Sequence, residues 1–272
     1  MTPDEVLDRF NEIYKDRIPD QGAVGHLPGA YILAAFVQNP TDKVLCDAAN
    51  CLSASPKSGI WAQAFEIQNR DAVRKICVDT KVDPLISYCF AMAWGVQWSA
   101  SSYDSFFKSV ANPDVIRGHL EKLQDPGSLP ENPAFNCRQK AFQLFKETKP
   151  IPGLGISYFT KLFYFYMPEG TRGYVLDKWT ASAVAELPWP KDLKDLPPRP
   201  KNPLSPDSWR KPKDYEAYCM FVEHHAKQRG WSPSSVELAF FGSPNEGQPG
   251  KQWRNLLSRI KEKRYVLSDT ED

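Results

Sequence analysis

The sequence predicts an all-α protein on two observations. Apolar residues recur at three- and four-residue intervals through most of the chain, and no segment alternates apolar with polar residues as a half-buried strand would. From the start, Val6, Phe10, Ile13 and Tyr14 share one face of a helix over residues 3–17. Residues 29–38, 60–69 and 69–79 read as further helices, the first two buried. The run from Pro84 to Trp98 is almost continuously apolar and aromatic, too long for one strand. It reads as a central helix with Pro84 in its first turn, where a missing N–H goes unmissed. Shorter helices follow over 102–110 and 113–124, the second entered through Asn112, Pro113 and Asp114. Asn132 and Pro133 open the next, which carries Phe135, Phe142, Leu144 and Phe145 to Glu147. Lys149 and Pro150 end it, because proline cannot extend the hydrogen-bond ladder. Residues 156–166 and 178–187 are again helical in pattern. Eight prolines between Leu187 and Lys213 then make a long irregular connection, and helices over 214–229 and 250–264 follow.

The expected organisation is a helical core over 1–187, a Pro-rich connection over 188–213, and C-terminal helices over 214–272 that pack on the core. A chain of 272 residues can bury a sizeable interior, and 42% hydrophobic with 25% charged residues excludes wholesale disorder. No apolar run is long enough to cross a bilayer and the first twenty residues lack an apolar signal region, so a cytoplasmic protein that avoids membranes is expected. The six cysteines contain no CxxC and the four histidines no HxxxH or HExxH, which disfavours a metal centre; no cofactor is expected. Adjacent His224 and His225 point to different helix faces and suit surface or packing roles. Cys77 and Cys89 read as core thiols.

A net charge of +1 excludes a generic nucleic-acid coat protein. Positive charge is nevertheless clustered. Arg138, Lys140, Lys146, Lys149 and Lys161 face a single Glu147, and six basic residues between Lys251 and Arg264 face a single Glu262. Either cluster suits a one-sided anionic partner, or equally a solvated helix face.

The stretch 150–180 is the most informative. Ile151-Pro152-Gly153-Leu154-Gly155 lies between two helical patterns. Paired glycines let the backbone turn tightly and pass close to another surface, with the amides that open the next helix pointing outward as an anion site. Alone, the same residues make an ordinary corner between helices. After the helix, a Gly/Pro-bearing loop over 168–177 ends at Asp177, in an N-cap position at the start of the next helix.

Together these residues resemble the helix-hairpin-helix DNA glycosylase superfamily, whose hairpin reads Leu-Pro-Gly-Val-Gly or a close variant and whose Gly/Pro loop leads to an essential aspartate. The run Thr160-Lys161-Leu162-Phe163-Tyr164-Phe165 further resembles bacterial relatives of 8-oxoguanine DNA glycosylase. The resemblance covers about 132–187, with the hairpin over about 133–167. It implies a two-lobed helical fold with a central DNA and base cleft, double-stranded DNA containing a modified base as partner, and no obligate protein partner. It also implies that the amides of Gly153 and Gly155, with Ser157 and Lys149, hold phosphate, and that Asp177 faces the sugar of an extruded nucleotide. Bifunctional relatives carry a Schiff-base lysine two residues after the second hairpin glycine. Here that position is Ser157, and the nearest lysine is Lys161, one turn on. A monofunctional hydrolase is therefore expected, with Lys161 either a catalytic or pocket residue or a solvated cation.

Base flipping requires a wedge and aromatic or apolar walls. Gln97, polar between Trp94 and Trp98 at a helix end, is the wedge candidate. Trp94, Trp98, Tyr158 and Trp179 are the candidate walls, although each aromatic taken singly suits core packing. Substitution of the usual lysine and the Pro-rich insertion lean toward a bulky modified cytosine, hydroxymethylated or glucosylated, as in phage DNA, and so toward phage defence. The alternatives are 8-oxoguanine repair, with or without lyase activity from Lys161, and a non-catalytic DNA-binding module in which Asp177 only caps its helix.

Overall fold

The computed structural model describes residues 1–15, 43, 46–47, 70–94, 105–106, 108–148, 150–190, 209, 211–242 and 248–268, with side chains of the last helix described to residue 262. The described residues are helical, with no strand among them. The helices are α1 (Pro3–Ile13), α2 (Arg70–Val78), α3 (Pro84–Ala93), α4 (Pro113–Gln124), α5 (Cys137–Gln143), α6 (Ile156–Tyr166), α7 (Lys178–Glu186), α8 (Pro212–Arg229), α9 (Pro233–Phe241) and α10 (Pro249–Ser268). The chain divides into two compact units, one of Met1–Asp20 with Val175–Asp272, the other Gln21–Tyr174.

The unit Gln21–Tyr174 is organised on α6, which packs against α2, α3, α4 and α5. Its sequence ISYFTKLFYFY has almost no polar face, and every residue from Phe159 to Tyr166 is buried. Phe142 and Phe145 meet the Phe159 and Phe163 rings at 5.2 and 5.3 Å respectively. Two pairs of buried hydroxyls meet: Ser87 with Tyr166 at 2.8 Å, and Tyr88 with Ser109 at 2.6 Å. Arg74 donates to the carbonyls of Tyr164 at 2.8 Å, Phe165 at 3.2 Å and Met167 at 2.8 Å. Those acceptors end α6, where a cation also meets the negative end of the helix dipole.

Several helix ends depart from the sequence expectation for local reasons. The helix expected from Asn132 begins at Cys137 instead. Asn136 caps it, accepting the Gln139 N–H at 3.0 Å while the Gln139 side chain accepts the Asn136 N–H at 3.0 Å. Asn132 is used earlier, its side chain turning the chain by accepting the Ala134 N–H at 3.1 Å. A π-helical turn over Leu144–Thr148 then finishes α5. The long apolar run ends at Ala93, with Trp94 extended at ψ 127°. The helices expected over 29–38 and 60–69 lie outside the described residues.

In the other unit, α9 packs against α7, α8 and α10, and α1 joins through α10. Phe10 is fully buried, its ring 5.6 Å from Phe240 and 4.9 Å from Trp253. The Tyr14 hydroxyl donates to the Ala239 carbonyl at 2.9 Å. The Pro-rich connection contributes at both ends: Trp189 stacks on Phe221 at 5.2 Å and the fully buried Trp209 meets Tyr218 at 6.1 Å. α9 was not expected from the sequence. Ser234, Ser235 and Glu237 are buried along with its apolar residues, so it shows no polar stripe; Ser232 capping at its start was the available signal.

Candidate active site

The hairpin belongs to the unit Gln21–Tyr174. Gly153 has φ +80°, and a Cβ there would sit 2.3 Å from the Ser105 carbonyl oxygen and 2.9 Å from Lys108 Cβ. Only glycine accommodates both demands, so Gly153 is the packing glycine. Gly155 differs. It is exposed, its backbone is extended at φ −74° and ψ 173°, and nothing lies within 4 Å of an added Cβ. It is also the N-cap of α6, without a side chain to cap it. The first bonds of α6 run from the Tyr158 and Phe159 N–H groups to the Gly155 carbonyl, at 3.0 and 3.1 Å. The amides before them are the open donors of a helix N-terminus. Ser157 and Tyr158 on this first turn are half-buried.

Lys161 is buried, with 5% of its surface exposed, and its ammonium donates to the Trp94 carbonyl at 2.8 Å. This corrects the reading of Lys161 as a solvated cation: the chain end of α3 collects it, as helix C-termini attract positive charge. The ammonium also lies 5.8 Å from the Tyr158 ring. Trp94 is a core residue, 4% exposed, with the Arg70 guanidinium 4.7 Å from its ring and 4.1 Å from the Tyr164 ring. Lys161, Tyr158 and Trp94 are thus brought together. Lys149, Gln97 and Trp98 lie outside the described residues.

Asp177 and Trp179 belong to the other unit. Asp177 caps α7 through one oxygen: Oδ1 accepts the Trp179 N–H at 2.8 Å and the Thr180 N–H at 2.9 Å, with the Thr180 hydroxyl at 3.2 Å. The Thr180 hydroxyl oxygen in turn accepts the Asp177 N–H at 2.8 Å, closing a reciprocal box. The approach is fixed as well, since the Tyr218 hydroxyl donates to the Val175 carbonyl at 2.6 Å. Oδ2 makes no hydrogen bond among the described residues, and Asp177 as a residue is half-buried. Capping therefore consumes one carboxylate oxygen and leaves the other.

Burial raises the Asp177 pKa above the ordinary carboxylate value, opposed by the N–H bonds from Thr180 and Trp179 and by the charge of Arg254. Arg254, on α10, was anticipated only as one of a basic cluster. Its Nε–H donates to the Phe241 carbonyl at 2.9 Å, and its guanidinium lies 4.6 Å from the Trp179 ring and 4.4 Å from the Phe241 ring. Nothing in the sequence distinguishes it from its neighbours, because the contact is made across helices. No three His, Cys, Asp or Glu side chains gather into a metal-ligand group among the described residues.

No described helix is long and apolar enough to cross a membrane. Neither a curated protein nor a solved structure matches the chain. Residues 55–241 match the model of a family described as "Putative 8-oxoguanine DNA glycosylase OGG-like protein". The matched segment holds the hairpin, Lys161 and Asp177 and spans more than half of the sequence. The chain accordingly belongs to the OGG-like DNA glycosylase family, all-helical enzymes that act on DNA.

Proposed function

We propose that this DNA glycosylase is monofunctional, using Asp177 to hydrolyse the N-glycosidic bond of an extruded, bulky modified cytosine in double-stranded DNA. The observation that carries the reading is the divided use of the Asp177 carboxylate. Oδ1 is pinned by two N–H donors, with the Thr180 hydroxyl 3.2 Å away, while Oδ2 accepts no hydrogen bond among the described residues. As the C1′–N bond breaks, its electron pair leaves with the base and the sugar becomes an oxocarbenium ion. A carboxylate held rigid by its own helix stabilises that charge without reorganising. Water then adds to C1′ and its proton passes to the carboxylate, for which a raised pKa makes a better acceptor; the carboxyl then returns that proton through solvent to the departed base anion, which leaves as the neutral base. The products are the free base and an abasic site.

The hairpin amides at Gly153, Gly155 and Ser157, with Lys149, take a backbone phosphate, a contact that positions the duplex and carries no sequence information. Gln97 fills the vacated stack. Tyr158, Trp98 and Trp179 are each assigned to the extruded base, while Trp94, packed on Arg70 and joined to Lys161 through its carbonyl, supports the Tyr158 side. Two features support the monofunctional reading. Ser157 stands where bifunctional relatives place their lysine, and the Lys161 ammonium is held by a main-chain carbonyl. The Pro-rich insertion in the sequence is the feature that leans the reading toward a bulky base, glucosylated or hydroxymethylated cytosine, and hence toward action against phage DNA. A second reading, 8-oxoguanine, is favoured by the family description. Duplexes carrying one glucosylated hydroxymethylcytosine, one hydroxymethylcytosine or one 8-oxoguanine separate the two. Release of 8-oxoguanine alone overturns the cytosine assignment. Undiminished release by D177N overturns the role of Asp177.

A further inference from the structure

We propose that Arg254 is the positioning residue of the glycosylase site, a fixed cation that α10 and the end of α9 hold beside the Asp177 cap. The inference rests on the assignment of Asp177 above. The guanidinium is clamped between the Trp179 ring at 4.6 Å and the Phe241 ring at 4.4 Å, and only 9% of the residue is exposed. Its Nε–H is tied to the Phe241 carbonyl at 2.9 Å, in the last turn of α9. Trp179, on which it lies, is the residue whose N–H is donated to Asp177 Oδ1. Stacking and capping therefore act on the same residue from two sides.

The backbone makes room for this clamp. Gly242 ends α9 at φ +66°, and a Cβ there would meet the Gly250 carbonyl oxygen at 2.7 Å and Arg254 Cγ at 3.2 Å. The Arg254 stem thus lies along bare backbone.

The placement runs against a simple electrostatic preference. Trp179 is in the first turn of α7, at the positive end of a helix dipole, where a cation is disfavoured. A buried guanidinium kept there has a counter-charge to answer to, and Asp177 is the anion within electrostatic reach. The other groups around the cap are Lys178 beside it, Tyr218 of α8 with Glu237 of α9 against that phenol, and Tyr14 of α1 against Arg254 itself. Arg254 is the positive member that opposes the effect of burial on Asp177. No direct ion pair joins the two among the described residues, so the cation steadies the carboxylate without occupying Oδ2.

The test follows the Asp177 carboxyl by carbon-13 NMR titration of the full, DNA-free chain, the resonance being assigned by its loss in D177N. R254Q should raise the midpoint by about 0.5–1 pH unit, while R254K, which keeps the charge, should stay within about 0.3 unit of the wild type. A midpoint unmoved in R254Q, or moved equally in both variants, overturns the proposal. If R254Q does not fold, R254K decides alone, and a rise of about one unit there refutes it. Because the readout needs no substrate, the two failures are distinguishable: retention of base release by D177N would remove Arg254's bearing on catalysis but leave the titration result standing, whereas an unmoved midpoint would overturn the coupling itself.

Discussion

The two hairpin glycines should fail in different ways when each is given a methyl group. At Gly153, an alanine must hold φ +80°, which costs about 1–2 kcal/mol. Its Cβ would also lie 2.3 Å from the Ser105 carbonyl oxygen and 2.9 Å from Lys108 Cβ, so main chain rather than a flexible side-chain tip must give way. Displacement of packed structure on that scale adds about 1–3 kcal/mol. G153A is thus expected to be destabilised by about 2–5 kcal/mol, enough to lower the melting temperature by roughly 5–15 °C. At Gly155, the backbone is already extended and nothing lies within 4 Å. Weaker capping by alanine is offset by reduced freedom of the unfolded chain, so G155A should fall within about 1 kcal/mol of the wild type. Its effect belongs to binding, because the methyl group stands where a phosphate would approach the amides. Urea unfolding of both variants, paired with fluorescence-anisotropy titration of a duplex, separates these outcomes. G153A as stable as the wild type would refute the packing argument. G155A with unchanged DNA affinity would refute the phosphate role of the open amides.

Three further outcomes follow from the same geometry. D177N keeps an oxygen that can cap α7, so it should lose base release by about 100-fold or more while its unfolding free energy changes by under about 1 kcal/mol. A stability loss as large as the activity loss would make Asp177 a cap and nothing else. Borohydride should trap no covalent complex between the chain and a duplex containing an abasic site, because the Lys161 ammonium is held on the Trp94 carbonyl; a trapped adduct that K161M abolishes would reverse this. His225 is buried, and burial, with Arg229 and His224 nearby, pushes its pKa down to about 3. The unfolded chain therefore takes up a proton that the folded chain refuses once the pH falls below the ordinary histidine value. Lowering the pH from 6.5 to 5 should cost about 1.5 kcal/mol through this group, and H225F should flatten that slope in pH-dependent urea melts.

The helical class, the order of the elements and the position of Asp177 were readable because each rests on local rules. Apolar spacing marks a helix, and a lone aspartate after an irregular run marks its start. Pro84 and Pro113 each open a helix as expected. Local rules also explain the errors. Asn132 and Asn136 are equally good caps on paper, and the matching Gln139 decides between them. α9 was hidden because burial on all sides removes the polar stripe that periodicity detects. The sequence marked Lys161 as unusual but did not disclose that the end of a distant helix would hold its charge. Arg254 lay beyond reading altogether, since its importance comes from two rings and a carbonyl contributed by other helices.

The burial of Phe10 and Tyr14 against Ala239, Phe240 and Trp253 bears on how the protein is made. α1 is synthesised before the surfaces that cover its aromatic face, which follow more than two hundred residues later. During translation that face must stay exposed or be shielded by a chaperone, while Gln21–Tyr174, made in between, forms a compact unit of consecutive residues. A unit of consecutive residues can gather as it is made, whereas the Asp177-bearing unit is completed only once α9 and α10 have been synthesised.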